Sequence, residues 1–435
     1  MSDRVVQLLF WLRRRSFFRV VQRTFMMLMP VAVIGSYFQL LRDCIFSPDS
    51  LIYNIFNFDY IMSDRLWDVG NLVSAGMVQV TFGIFGIFAA YFSALYTARI
   101  YHKDATMAGI TSVIVITFTA FLSGVGRVSG TRITFYSRIL NINGILFALL
   151  CGYLVGQVFH WLGQDYHHIR HEHAAHIQAR AWSALIPTAV SLLVGIVFGI
   201  IIYLFKVKLL DDVYFRSLIS GMKASNNLAL IIPLTMLATF LWWCGIGYPL
   251  ASMVSASNSG AAIANLNYAL RHGGANVPYK YLGSSLIQGY GLMGDACVAL
   301  SLTVVILLYT HNKQLESIAK INLLPVAFGA SNGLAIGLPM ILNPLYLLPI
   351  IVIPAINELI AAGAITLNLI WPSVYPVLGG TPGILISFFG SNGNWPTFIF
   401  TVLLFILDIL ILIPVVLIGQ RISERLAQYE QEMEN

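Results

Sequence analysis

The chain has 435 residues, of which 58% are hydrophobic and only 10% charged. Soluble domains carry about 25% charged residues, so an ordinary soluble fold is excluded and lipid is the solvent that shapes most of this chain. The formal net charge of +6 lies between apolar runs, where membrane topology accounts for it, and gives no nucleic-acid footprint.

Cys44, Cys151, Cys244 and Cys297 are scattered without a CxxC pair. That excludes a zinc motif and argues against a disulfide framework. No metal ligand set, cofactor motif or catalytic residue is assigned.

In chain order, "MSDRVVQLLFWLRRRSFFRVVQR" comes first. Its arginines follow a short apolar run and no small-residue cleavage site appears, so it reads as an interfacial amphipathic segment rather than a signal peptide. A span needs about 20 apolar residues. Residues 23–41, 69–96, 105–122, 140–162 and 182–205 meet that need, separated by polar loops. A second interfacial amphipathic stretch, "KVKLLDDVYFRSLISGMKASNN", follows.

Beyond it the pattern loses regularity. Residues 228–245 form a span ending in "LWWCGIGYP", and "LASMVSASNSGAAIANLNYALRHGG" is too polar to face lipid. The span at 282–309 is interrupted by "GYGLMGD", 336–360 follows "GASNG", 361–394 is broken by Pro and Gly, and 395–418 is the last clear span. Irregular backbone survives at membrane depth only inside protein or beside a water-filled cavity, and transporters place substrate at such breaks. The expected organisation is therefore a scaffold and dimerisation half (1–206), a substrate-binding half with broken helices and re-entrant loops (207–420), and a cytoplasmic tail (421–435).

Arg13, Arg14, Arg15, Arg19 and Arg23 place the N-terminus inside. Both termini are expected in the cytoplasm. The loop expected outside at 126–138 carries Arg127, Arg132 and Arg138, against a strict positive-inside rule.

Four constellations bear on function. His160, His167, His168, His171, His173 and His176 crowd one loop. Some sit at helical metal-ligand spacing, although a solvated loop explains them more simply. In "WWCGIGYP", Trp243 beside a glycine turn suits stacking on a sugar ring, and an interfacial aromatic belt is the alternative. In "GASNG", Ser331 and Asn332 offer hydroxyl and amide groups to a neutral polyol, Gly329 and Gly333 permit a tight reversal, and Asn343 follows nearby. Asp295, Glu358 and Asp408 are intramembrane acids and so candidates for ion or proton coupling.

The run "LLPVAFGASNGLAIGLPMILNPLYLLPIIVIPAIN" resembles the membrane component, enzyme IIC, of the bacterial phosphotransferase system, in its lactose/cellobiose/chitobiose branch. That family carries "PGxFNINEPxxFGLPxxxNPxxxxP" here, and this chain keeps Pro325, Phe328, Gly337-Leu338-Pro339, Asn343-Pro344 and Pro349. The stretch "WWCGIGYP" is similar to the family's "WxxGIHG". Two departures stand out: Asn332 and Gly247 occupy the positions of the glutamate and histidine associated with sugar recognition and phosphorylation. An amide takes up no proton near neutral pH, and glycine offers only backbone.

The resemblance implies an all-α polytopic membrane protein with about ten transmembrane helices plus re-entrant hairpins. It implies a permease component, taking a di- or oligosaccharide of the β-glucoside class at Trp243, Gly245, Gly247, Tyr248, Ser331, Asn332 and Asn343. Soluble IIA and IIB components are expected as separate chains, with a homodimer in the bacterial inner membrane. The missing Glu and His support an alternative: a membrane sensor that has lost phosphotransfer. An ion-coupled small-solute carrier is the third reading.

Overall fold

The computed structural model describes residues 2–124, 135–165, 174–209, 225–247 and 259–434. Helices dominate, and only isolated bridges represent β-structure among the described residues. Helix α1 (Ser2–Arg13) buries Val6 and Leu9 while Leu8 and Trp11 face outward, as an amphipathic helix at a boundary should. Helix α2 (Ser16–Leu40) begins before the expected span 23–41 and continues as one apolar segment to Ile45.

The first half continues with α3 (Asp64–Phe82), α4 (Phe85–Ile100), α5 (Ala105–Gly124), α6 (Ile145–Leu162) and α7 (Leu185–Leu209). The single span expected at 69–96 is thus an apolar run interrupted at Gly83 and Ile84. Helices α4 to α7 pack on one another. Lipid tails supply no hydrophobic drive between helices, so close approach of small residues must. Here a Cβ on Gly152 would sit 2.3 Å from the Ala90 carbonyl oxygen, and one on Gly156 would sit 2.4 Å from Thr97 Cβ. The Ser93 hydroxyl donates across the seam to the Leu149 carbonyl (2.9 Å).

The second half holds α8 (Leu228–Trp243), α9 (Gly260–His272), α10 (Ser301–Tyr309), α11 (Lys313–Ala327), α12 (Asn332–Gly337), α13 (Pro344–Thr366), α14 (Gly383–Gly390) and α15 (Trp395–Glu434). Their starts follow local chemistry. Asn227, Ser259, Asn312 and Asn343 each accept a backbone N–H at a helix N-terminus, and Pro344 sits where its missing donor costs nothing. The segment expected as a separate tail is the continuation of α15, which runs on to Glu434. Among the described residues eight helical segments are long and apolar enough to cross a membrane, and α8 is a shorter apolar helix.

One buried cluster joins α2, α4, α5 and α6 and also takes in Ile336, Ile341 and Leu342 from the second half. The broken segments therefore do not float. The 283–309 run breaks at Met293, Gly294 and Asp295, which have φ of 45°, 55° and 70°. Such left-handed backbone is costly for Met and Asp and persists only when its surroundings hold it. Gly383 holds it here, since its Cα face abuts the Met293 carbonyl and a Cβ would lie 1.9 Å from that oxygen. Gly383→Ala should therefore displace the break and destabilise the protein by ~1–3 kcal/mol, as overpacking does. A lower melting temperature in detergent is the expected reading, and an unchanged one would show the contact to be slack.

Candidate substrate site

The segments around "WWCGIG" and "GASNGLAIGLPMILNP" lie about a hundred positions apart in sequence and are tied in space. The Trp243 indole N–H donates to the Asn343 carbonyl (2.9 Å). The Leu342 amide donates to the Trp243 carbonyl (2.8 Å). The glycines beyond Trp243 then fasten this pair to the first half. Gly247 N–H donates to the Asn143 carbonyl (2.8 Å), and the Gly245 carbonyl accepts from Leu146 (3.3 Å). Gly245 has φ of 80°, and its Cα faces Ile145 and Ile341.

The candidate side chains separate into three groups. Trp243, Gly245 and Gly247 make the anchor. Asn332 gives its amide N–H to Gln39 on α2 (3.2 Å), while Gly333 N–H donates to the Ser36 hydroxyl (2.7 Å). The Gly333 Cα is closed in by Asn322, whose amide oxygen would lie 2.4 Å from any Cβ added there. Asn343 caps α13 and donates to the Pro339 carbonyl (2.9 Å). Tyr248 lies outside the described residues, as do His167, His168, His171, His173, Arg127 and Arg132.

Ser331 meets the other break. Its hydroxyl donates to the Asp295 carboxylate (3.0 Å), and Gly329 packs near the Gly294 carbonyl. Both Ser331 and Asp295 line a small cavity of about 30 Å³ with Trp242, Met340 and Ile350. That volume holds a water, not a sugar. Trp242, rather than Trp243, is the tryptophan on this cavity.

A second cavity of about 940 Å³ opens under the same loop. Gly337, Leu338, Pro339 and Asn343 form one wall; α2 contributes Arg19, Gln22, Arg23, Met26 and Met29; α11 contributes Lys313 and Ile318; α15 contributes Gln420 and Ser423. Small-molecule sites run to roughly 300–1,000 Å³, so this space accommodates a disaccharide. Sequence reasoning assigned the α2 arginines to topology alone and missed their place in the wall. No signal short of the α2–α12 packing could have found it. On α11, the Lys320 ammonium (2.5 Å) holds the Glu316 carboxyl below the usual carboxylate range.

The other acids stand apart. Glu358 is fully buried with one carboxylate oxygen against Gly291, and the Thr235 hydroxyl lies beside it outside ordinary hydrogen-bond geometry. Asp408 accepts the Asn357 amide (3.0 Å). Among the described residues no three His, Cys, Asp or Glu side chains converge to hold a metal ion.

Discontinuous helices beside a large cavity are the arrangement of membrane transport proteins of the broken-helix class. The chain belongs to the phosphotransferase system EIIC family, whose model matches residues 22–354. It is 22% identical over 373 residues to the oligo-beta-mannoside-specific EIIC component of Bacillus subtilis (strain 168), covering 83% of this chain and 80% of that protein. It is 26% identical over 137 residues to the cellobiose-specific EIIC component of Lactococcus lactis subsp. lactis (strain IL1403), covering 32% and 28%. The crystal structure of the transporter ChbC, the IIC component of the N,N'-diacetylchitobiose-specific phosphotransferase system, aligns over 96% of both chains at 18% identity and a TM-score of 0.41.

The anchor explains why Gly247 cannot simply be exchanged for the family's histidine. A Cβ there would lie 2.2 Å from the Asn143 amide oxygen and 2.7 Å from its Cβ, so the backbone would have to move. Gly247→His should lower the melting temperature in detergent. An unchanged melting temperature would contradict this placement.

Proposed function

We propose that this chain is the sugar permease component of a phosphoenolpyruvate-dependent phosphotransferase system and takes a β-linked di- or oligosaccharide into the cavity beneath the Gly337–Asn343 loop. The observation that carries the reading is the roughly 940 Å³ space bounded by the retained GLP and NP elements. Family membership and the β-glycoside names of the relatives support the substrate class.

Several finer points belong to the same proposal. Residues 1–206 act as scaffold and dimer contact, and 207–420 carry the substrate. The seam of α4 to α7 supports the first assignment and the tied breaks support the second. The termini lie in the cytoplasm of a bacterial inner membrane, as the arginines of the first 23 residues indicate. Soluble IIA and IIB chains would supply the phosphoryl group. Trp243, Gly245 and Gly247 would support the site, and Ser331, Asn332 and Asn343 would shape its wall.

A second reading, a membrane sugar sensor, is favoured by one observation: the two positions associated with phosphotransfer hold Asn332 and Gly247, and the space beside Gly247 is filled by Asn143. Two measurements separate and test these readings. Any ligand that binds the folded state must raise its apparent stability, so a panel of β-disaccharides should shift the melting temperature of the purified protein, and a flat response across the panel would refute both. Vesicles supplied with matching soluble components should then phosphorylate a bound sugar slowly or not at all if the sensor reading holds. Rapid appearance of phosphorylated sugar would exclude it.

A further inference from the structure

The large cavity sits at one end of the helices that form it. On α2 its lining is Arg19, Gln22, Arg23, Met26 and Met29, all in the first part of that helix, and on α15 it falls between Val416 and Leu426. An α-helix rises about 1.5 Å per residue, so Arg23 and Cys44 stand about 30 Å apart along α2 and its continuation, and Gln420 and Trp395 about 40 Å apart along α15. Each separation is at least the thickness of a hydrocarbon core.

At that far end the two halves of the chain meet again. Leu51 N–H donates to the Gly379 carbonyl (2.9 Å), and Gly379 N–H donates to the Asp49 carbonyl (2.9 Å), a parallel bridge centred on Ser50. Beside it Gly380, with φ of 61°, covers the Cys44 thiol: an added Cβ would lie 2.8 Å from the sulfur and 3.0 Å from the Asp43 carbonyl oxygen. The strap that makes this contact is organised within itself. The Ser50 hydroxyl donates to the Cys44 carbonyl and accepts from Tyr53 N–H, Asn54 donates to the Pro48 carbonyl (2.8 Å), and the Tyr53 hydroxyl donates to Asp59 (2.6 Å). Of residues 50–61 only Ser50 and Tyr53 are buried. The strap thus holds its shape with little packing beneath it, the condition under which a segment moves as a unit at low cost. Asp49 and Gly379 are both exposed, so water can replace the bonds between them. Each such bond favours closure by only about two- to tenfold.

We propose that residues 49–51 and Gly379–Gly380 form a latch that shuts the protein at the end opposite the large cavity, and that this latch must open for sugar to pass through. The proposal rests on the permease reading above and adds the regulation of its path. With the N-terminus in the cytoplasm, the latch faces outside. A carrier open at both ends at once would leak, so a cavity open at one end requires a closure at the other.

The test uses the full-length protein in vesicles with the matching soluble components and labelled cellobiose. Asp49→Cys and Gly379→Cys are combined and tied with a short bis-maleimide. A Cβ on Gly379 meets only the Asp49 carbonyl oxygen, at 3.6 Å, and the latch bonds are made by backbone, so each single variant should keep them. Tying should cut cellobiose uptake at least about tenfold, as locking a rate-setting gate does, while cellobiose still shifts the melting temperature as it does without the tether. The single variants given the same reagent should carry cellobiose unchanged. Uptake by the tied protein at the untied rate overturns the latch and leaves the permease reading standing. Loss of cellobiose binding on tying also overturns it, because the strap would then belong to the site itself. Binding without uptake before tying removes the permease reading, and the latch falls with it. A second variant needs no tether. Gly380→Ala should push the latch open and raise the rate at which a polar maleimide labels Cys44 at least about tenfold, with cooperative melting showing that the variant folds. Unchanged labelling of Cys44 overturns the proposal.

Discussion

Backbone that leaves the helix inside a membrane must find its hydrogen bonds in protein, and this structure depends on where those bonds go. The turn after α8 and the loop before α13 satisfy each other through the Trp243 indole and the Leu342 amide. Gly245 and Gly247 then pass the load to Leu146 and Asn143 at the start of α6. Each unpaired group at that depth would cost on the order of several kcal/mol. The glycines are present because the contact leaves no room for a Cβ. The same joint holds the Asn343 end of the Gly337–Asn343 wall, so the large cavity takes part of its shape from it.

The two breaks illustrate different uses of irregular backbone. At Met293–Asp295 the chain accepts three consecutive left-handed residues and is clamped by Gly383. That break presents Asp295 to Ser331 and borders only a small space. At 329–333 the loop turns its polar groups onto α2 through Gln39 and Ser36. The result is a shaped wall, with amide and hydroxyl groups committed to holding it. Asn332 and Gly333 are thereby committed to packing against α2.

Much of the fold was legible in the sequence because lipid imposes a simple rule: long apolar runs become helices. The spans around 105–122 and 140–162 fall close to α5 and α6 for that reason. The break in "GYGLMGD" and the one in "GASNG" were visible because glycine and polar residues interrupt apolar runs. Legibility failed where tertiary contact decides. Nothing local says that Trp242 faces a cavity while Trp243 braces a carbonyl, since neighbours on a helix point about 100° apart and the packing chooses between them. Nor could the arginines of residues 13–23 be assigned to a cavity wall before α12 was seen to dock on α2.

The central claim is that the cavity bounded by α2, α11 and the Gly337–Asn343 loop receives the sugar. A cryo-electron microscopy map of the protein saturated with cellobiose tests it most directly. The account predicts saccharide density against Pro339 and Asn343, within reach of Gln22 and Arg19. Density elsewhere, with this cavity holding only solvent, would contradict it.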